Sequence, residues 1–284
     1  MIGAVVFDVG GVLCPSPVGE FEKVDAEYGL PAGTVMSFVR GGELFARCET
    51  GRMPIAEFYR RCSSAIAEKH HVDVPAQRLD AMLWACMGDS VRPEMVALVV
   101  EVKAAGYQTA LLTNIFAERR DWLHTLLPAG TIDAYGDSSE LGLRKPDPTI
   151  YRRLLAMLGR GPREVAFVDD FPENLVPARD LGMVGVLYES SRQVRRALVE
   201  AGVRITLDPL DGRTGEPEAR EPGVRESEAR EPGVREVGAR EAGAREAGGS
   251  PRGRAVAPPE RVGASFERPG APSERAAVPS EEVA

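Results

Sequence analysis

The feature that most constrains this chain is a repeated local pattern, in which a short apolar run stops abruptly at polar or acidic residues. Ala4-Val5-Val6-Phe7 runs into Asp8, which is followed by Val9-Gly10-Gly11-Val12-Leu13. Thr109-Ala110-Leu111-Leu112 runs into Thr113-Asn114, and Val165-Ala166-Phe167-Val168 runs into Asp169-Asp170. Continuous apolar runs of this length read as strands buried on both faces. The segments between them read as helices. Such alternation predicts an α/β fold, a mostly parallel sheet with helices on both faces. In sheets of that kind, ligands sit beyond the carboxyl ends of the strands, where these polar residues fall.

Further strands are expected near Asp133–Gly136 and over Val184–Leu187. Helices are expected over Pro93–Ala105, from Ala117, from Pro148, near Glu173–Leu181 and over Arg192–Ala201. Asp147 reads as an N-cap and Pro148 as the first helical residue after it. Residues 18–88 contain no convincing strand. Val18–Tyr28, Gly33–Arg40, Ile55–His70 and Ala76–Cys86 read instead as helices, with Pro54 at an early position of the third. This block is an insertion after the first strand.

The chain has 284 residues, enough for a sizeable core and one or two domains. Its net charge of −8 argues against nonspecific nucleic-acid binding. Cys14, Cys48, Cys62 and Cys86 show no metal-ligand spacing and read as reduced thiols of a cytoplasmic protein. Cys14 follows the Asp8 loop closely, yet reads as a small packed residue. No signal-peptide pattern opens the sequence, and no window reaches the roughly 20 apolar residues needed to cross a bilayer. Residues 219–248 form six five-residue Arg-Glu units, AREPG, VRESE, AREPG, VREVG, AREAG and AREAG. Glycine and proline at that density break helices, and Ala and Val alone cannot repay the ordering entropy. Residues 210–284 are therefore expected to be a disordered low-complexity tail.

Each polar strand end admits two readings when taken alone. Asp8 is either a turn cap or a group placed for chemistry, since a buried carboxylate is costly unless paired or metal-bound. Thr113 and Asn114 are either caps or donors to an anion. Asp169 and Asp170 repel each other and call for a nearby cation, unless one caps the following helix while the other faces solvent. Lys145 stands out because the chain uses only four lysines (Lys23, Lys69, Lys103 and Lys145) among 35 basic residues. A compact ammonium suits a point contact with phosphate or carboxylate better than a guanidinium fork does.

The ordered set DVGGVL, LLTN, RKPDP and VDD resembles the haloacid dehalogenase superfamily, over roughly residues 1–205. The stretch from Lys145 to about Leu187 looks most like the amino-terminal phosphatase domain of soluble epoxide hydrolases. The resemblance implies a Rossmann-like catalytic core, residues 1–15 and 89–209, with a small helical cap at 16–88. It implies a hydrolase, a phosphomonoesterase that uses Mg²⁺ and acts on a small phosphorylated metabolite such as a sugar phosphate. Asp8 would attack phosphorus to form an aspartyl-phosphate. Asp8, the Gly10 carbonyl, Asp169 and Asp170 would hold the metal, with Asp170 preferred as the direct ligand. Thr113, Asn114 and Lys145 would bind phosphate, and Lys145 would also meet Asp8.

The chain departs from the superfamily pattern at one point. Most phosphatases of the superfamily carry a second Asp two residues after the nucleophile, as general acid and base. Here that residue is Gly10. Glu43, Arg47 and Glu49 in the insertion are candidate substitutes, although each alone reads as a solvated helix residue. Two other readings follow: a 2-haloacid dehalogenase working without metal, and a non-catalytic module that binds phosphate or a partner. Dehalogenases of the superfamily resemble DxYGT at the first motif and lack the acidic pair, which argues against the first of these.

Overall fold

The computed structural model describes residues 1–39, 42–87 and 91–206, with side chains 84–87 excepted. The expected disordered tail, 210–284, lies outside the described residues. Five strands form one sheet: β1 (Ala4–Phe7), β2 (Gln108–Thr113), β3 (Ala134–Asp137), β4 (Val165–Asp169) and β5 (Val184–Leu187). Their order is β3-β2-β1-β4-β5, and every pairing is parallel. The chain builds outward from β1 through β2 to β3, then crosses to the other side of β1 for β4 and β5. The direction therefore reverses between β1 and β4, which is where open α/β sheets form their ligand crevice.

Alternation within each strand divides the core in two. Val5, Phe7, Leu111, Ala166 and Val168 face α6 (Pro93–Ala104) and α11 (Ser191–Glu200), packing on Met95, Leu98, Val99, Val102, Val194 and Leu198. Ala4, Val6, Ala110, Leu112, Val165 and Phe167 face the opposite way. They meet Ile150, Tyr151 and Leu154 of α9 (Pro148–Leu158) and Leu175 and Ala178 of α10 (Pro172–Leu181). Both faces are covered by helices, which explains why the strands read as unbroken apolar runs. Cys14 is fully buried in the first of these clusters, and Cys48 and Cys62 are free thiols.

Between β1 and α6 lie α1 (Val18–Glu27), α2 (Thr34–Val39), α3 (Glu43–Glu49), α4 (Ile55–His70) and α5 (Ala76–Met87). They bury a cluster of their own, built on Phe21, Phe45, Phe58, Ile66, Leu79 and Met82. Phe116, just beyond β2, joins that cluster edge-on to Phe45, with ring centroids 5.3 Å apart. Glu118 caps the start of α4 by accepting from Ile55 N at 3.0 Å.

Several local expectations need correction. The four expected helices of the block are joined by a fifth, α3. Pro54 precedes α4 with extended backbone and stands at its N-cap, outside the first turn. The helix expected from Ala117 is a 3-10 turn followed by the single-turn α7 (Arg120–Leu123). A further short turn, α8 (Ser138–Leu141), follows β3, capped by Asp137, which accepts from Ser139 N and Glu140 N. Asp147 caps α9 as expected, accepting from Thr149 N. No helix among the described residues is long and apolar enough to cross a membrane.

Candidate active site

The sheet register places the candidate residues side by side. Phe7 pairs with Val168, and Asp8 N donates to Val168 O at 2.9 Å. Asp8 and Asp169 therefore leave adjacent strands at the same level, on either side of the crevice. Asp8, Asp169 and Asp170 bring carboxylate oxygens within 4.8 Å of one another. Asp8 is 6% exposed and Asp169 fully buried.

Lys145 neutralises part of this charge. Its ammonium stands 2.8 Å from Asp8 Oδ1 and 2.7 Å from Asp169 Oδ2, at 2% residue exposure. Burial opposes a charged ammonium, but the two carboxylates outweigh it and hold the Lys145 pKa above its ordinary value. Asp169 is saturated. It also accepts from Phe171 N at 2.8 Å and from Asn174 Nδ2 at 2.9 and 3.2 Å. Asp8 gathers its bonds on one oxygen, with Val9 N donating to Oδ1 at 2.7 Å.

Asp170 differs from its neighbour. Its Oδ1 is shut away from solvent without a hydrogen-bond partner. Burial, followed by the charges of Asp8 and Asp169, pushes its carboxyl up to about 8. Burial likewise raises Asp8 to about 6, with Lys145 limiting the rise. Three carboxylates face one ammonium here, and the unpartnered Asp170 Oδ1 gives the cluster an acceptor suited to a cation.

The two glycines of the first loop have different jobs. Gly11 has φ +82, and a side chain there would overlap the Asp170 carboxylate. Gly10 lacks a positive φ, and a Cβ built on it meets nothing within 4 Å. Only the second glycine is demanded by the backbone.

Thr113 ends β2, buried, in register with Asp137. Asn114 spends both ends of its amide on the main chain of Lys145: Oδ1 accepts from Lys145 N at 2.8 Å, and Nδ2 donates to Lys145 O at 3.1 Å. Among the insertion candidates, Glu43 and Arg47 are exposed, whereas Glu49 is buried at 6% exposure. Glu49 Oε2 lies 2.7 Å from Arg144 Nε, a close ion pair whose angle does not make a hydrogen bond. Burial raises the Glu49 carboxyl to about 7, with Arg144 and Lys145 opposing and Asp8 adding to the rise.

Asn174 escaped the sequence reading. It lies in the first turn of α10, four residues beyond Asp170, and a polar residue there reads as ordinary helix-start chemistry. Its burial beside Asp169 is what marks it.

The sequence profile of the haloacid dehalogenase-like hydrolases matches residues 2–182, and the chain belongs to that family. Among individual proteins, it is 28% identical to bifunctional epoxide hydrolase 2 of Mus musculus, over 77% of this chain and 43% of that one. It is 29% identical to the sesquiterpene phosphatase astK of Aspergillus oryzae, over 64% of this chain and 88% of the relative. It is also 31% identical to acyl-CoA dehydrogenase family member 10 of Mus musculus, over 63% of this chain and 17% of the relative. The chain thus spans less than half the length of the two mouse proteins. A solved HAD-like family hydrolase from Porphyromonas gingivalis shares the fold, with a TM-score of 0.50 at 22% identity, covering 66% of this chain and 91% of the other.

Proposed function

We propose that this hydrolase is a Mg²⁺-dependent phosphomonoesterase acting on a small phosphorylated metabolite. The observation that carries the reading is the unbalanced acidic cluster: Asp8, Asp169 and Asp170 against Lys145, with Asp170 Oδ1 buried and unpartnered. The donors are hard oxygens, which suits Mg²⁺. Asp170, Asp8 and the Gly10 carbonyl would hold the ion, and Asp169, whose oxygens already take protein donors, would support it through water. When bound, the ion supplies positive charge against the phosphate oxygens.

The chain's own groups then divide the work. Asp8 Oδ1 is held by Val9 N and Lys145 Nζ, which leaves Oδ2 as the attacking atom. Attack on phosphorus breaks the ester P–O bond and forms an aspartyl-phosphate, the leaving oxygen takes its proton from water, and a second water later cleaves the acyl phosphate to return the Asp8 carboxylate and inorganic phosphate. Lys145 keeps Asp8 ionised and meets negative charge that builds on the transferring phosphoryl group. Thr113 is the phosphate donor from β2. Asn114 fixes Lys145, a role its two main-chain bonds support. The helical block of residues 18–87 serves as the cap that selects the substrate. The phosphatase relative supports this reading. A match at 28% identity to (S)-2-haloacid dehalogenase 4A of Burkholderia cepacia favours the dehalogenase alternative, and the Asp169-Asp170 pair weighs against it.

Hydrolysis of 4-nitrophenyl phosphate with Mg²⁺, and its loss in excess chelator, is the expected result. Folded protein that binds Mg²⁺ but hydrolyses no phosphate ester would sink the reading. Halide release from a 2-haloacid in chelator would replace it with the alternative.

A further inference from the structure

The segment that carries Lys145 is gripped from two sides. From the sheet, Asn114 clamps the Lys145 main chain through the two bonds described above. From the helical block, the end of α3 reaches the same segment. Arg144 Nε lies 2.7 Å from Glu49 Oε2, and Arg52 Nη2 donates to Gly142 O at 3.3 Å. Ser138 Oγ donates to Glu49 O while accepting from Ile115 N at 2.9 Å, which ties the same turn of α3 to the residue after Asn114. A continuous path therefore runs from α3 through Arg144 to the ammonium between Asp8 and Asp169.

Glu49 is poorly explained as a surface group. Its side chain is 7% exposed, against 30% for Arg144. A carboxylate at that depth is costly unless paired. The pair is close, yet neither Glu49 Oε2 nor Arg144 Nε makes an aligned hydrogen bond.

We propose that Glu49 is a positioning residue, which pairs with Arg144 to transmit the placement of the helical block to Lys145 and so sets the ammonium against Asp8. Glu49 itself touches no reacting atom. The inference rests on the phosphatase reading for its kinetic consequence and on the structure alone for its mechanical one.

The test uses the full chain with Mg²⁺ and 4-nitrophenyl phosphate. Glu49→Gln keeps the shape and removes the charge. It should lower kcat five- to tenfold and leave KM within twofold. Arg144→Gln, made at the more exposed partner, should give the same loss. The double variant should be no slower than either single one, because each removes the same pair. Glu49→Asp, which keeps the charge, should recover part of kcat. Independently of activity, hydrogen exchange at the Lys145 amide should quicken at least tenfold in Glu49→Gln. Arg144→Gln carries the test if Glu49→Gln does not fold. Unchanged exchange at Lys145 overturns the inference, as do losses that multiply in the double variant. A raised KM at constant kcat also overturns it, because Arg144 would then be binding substrate. A wild type that turns over no ester sinks the phosphatase reading, and the exchange result still decides the coupling.

Discussion

The ends of the strands gather their buried charges around one ammonium, whereas the helical block buries charged groups singly, Asp25 on the main chain of Gly33 and Val35 and Glu49 against Arg144. At the strand ends, Asp8 and Asp169 are 6 and 0% exposed and both pair with Lys145, while Asn174 donates to Asp169. In the block, Glu43 and Arg47 go to solvent, and Glu49 alone of the three turns inward. The apolar interiors differ as well. The sheet packs mostly on Val, Leu, Ile and Ala, with Phe7, Phe167, Tyr151 and Met95 among them, while the block adds a larger share of Phe, Met and Cys, such as Phe45, Phe58, Met53, Met82, Cys48 and Cys62. Short hydrogen-bonded strands fix side chains to the tenths of an ångström that catalysis requires. Methionine packing is the more adaptable, and suits a surface that must fit a substrate. On the proposed function, the chemistry would belong to the sheet and selection to the block, with Glu49 and Arg144 as the proposed joint between them.

Substitutions at the strand ends should break this division most severely. Asp8→Asn should abolish turnover with the fold intact, because the amide is isosteric but neither nucleophilic nor a good Mg²⁺ ligand. Circular dichroism and phosphate release would be measured together. Substantial activity, with contaminating phosphatases excluded, would move the nucleophile away from β1.

Lys145→Arg should lower kcat by at least about tenfold, equivalent to about 1.4 kcal/mol of transition-state stabilisation. The ammonium sits between two carboxylates and 5.6 Å from the Phe167 ring centroid, a place shaped for a point charge. Steady-state kinetics equal to wild type would reduce Lys145 to a structural counter-ion.

Gly10→Asp sharpens the comparison by asking which region moves the proton. A side chain fits at this position, since Gly10 has ordinary φ and open space at its Cβ. A gain of a few-fold is expected on esters with poor leaving groups, below the roughly 10²–10⁴ of a fully positioned general acid. Activated aryl esters should gain less. A folded variant with no preferential gain would show that proton transfer comes from elsewhere, with the helical block as the first place to look.

The smallest effect is on stability. Asp8 and Asp170 rise from 3.8 to about 6 and about 8 in the folded, metal-free protein. Between those limits the folded state binds more protons than the unfolded state, so stability falls as pH rises from about 4 to about 8. Each kcal/mol corresponds to about 2–4 °C in Tm for a domain of this size. Thermal melts in chelator at pH 5 and pH 8 should show the higher Tm at pH 5, and Mg²⁺ should narrow the gap. A flat profile in chelator would mean that the carboxylates are already compensated without a metal.

The sequence by itself determined the sheet and the strand-end residues. Apolar runs of this length pack well where both faces are covered, and three of them end in polar residues that the parallel register gathers along one edge of the sheet, so a local pattern carried long-range information. The α9 cap at Asp147 was legible for the same reason, because it depends on neighbours in the chain. Tertiary structure alone decided the rest. Nothing local distinguishes Asp169 from Asp170, yet the fold saturates one and orphans the other. Gly10 and Gly11 read alike until the Asp170 carboxylate approaches the second. Asn114 turned to Lys145, 31 residues away, and Glu49 met Arg144 from an element that the sequence did not mark as a separate helix. Those outcomes depend on which groups arrive from distant parts of the chain. Hydrogen-bond saturation and burial are properties of that meeting, and periodicity along the chain does not encode it.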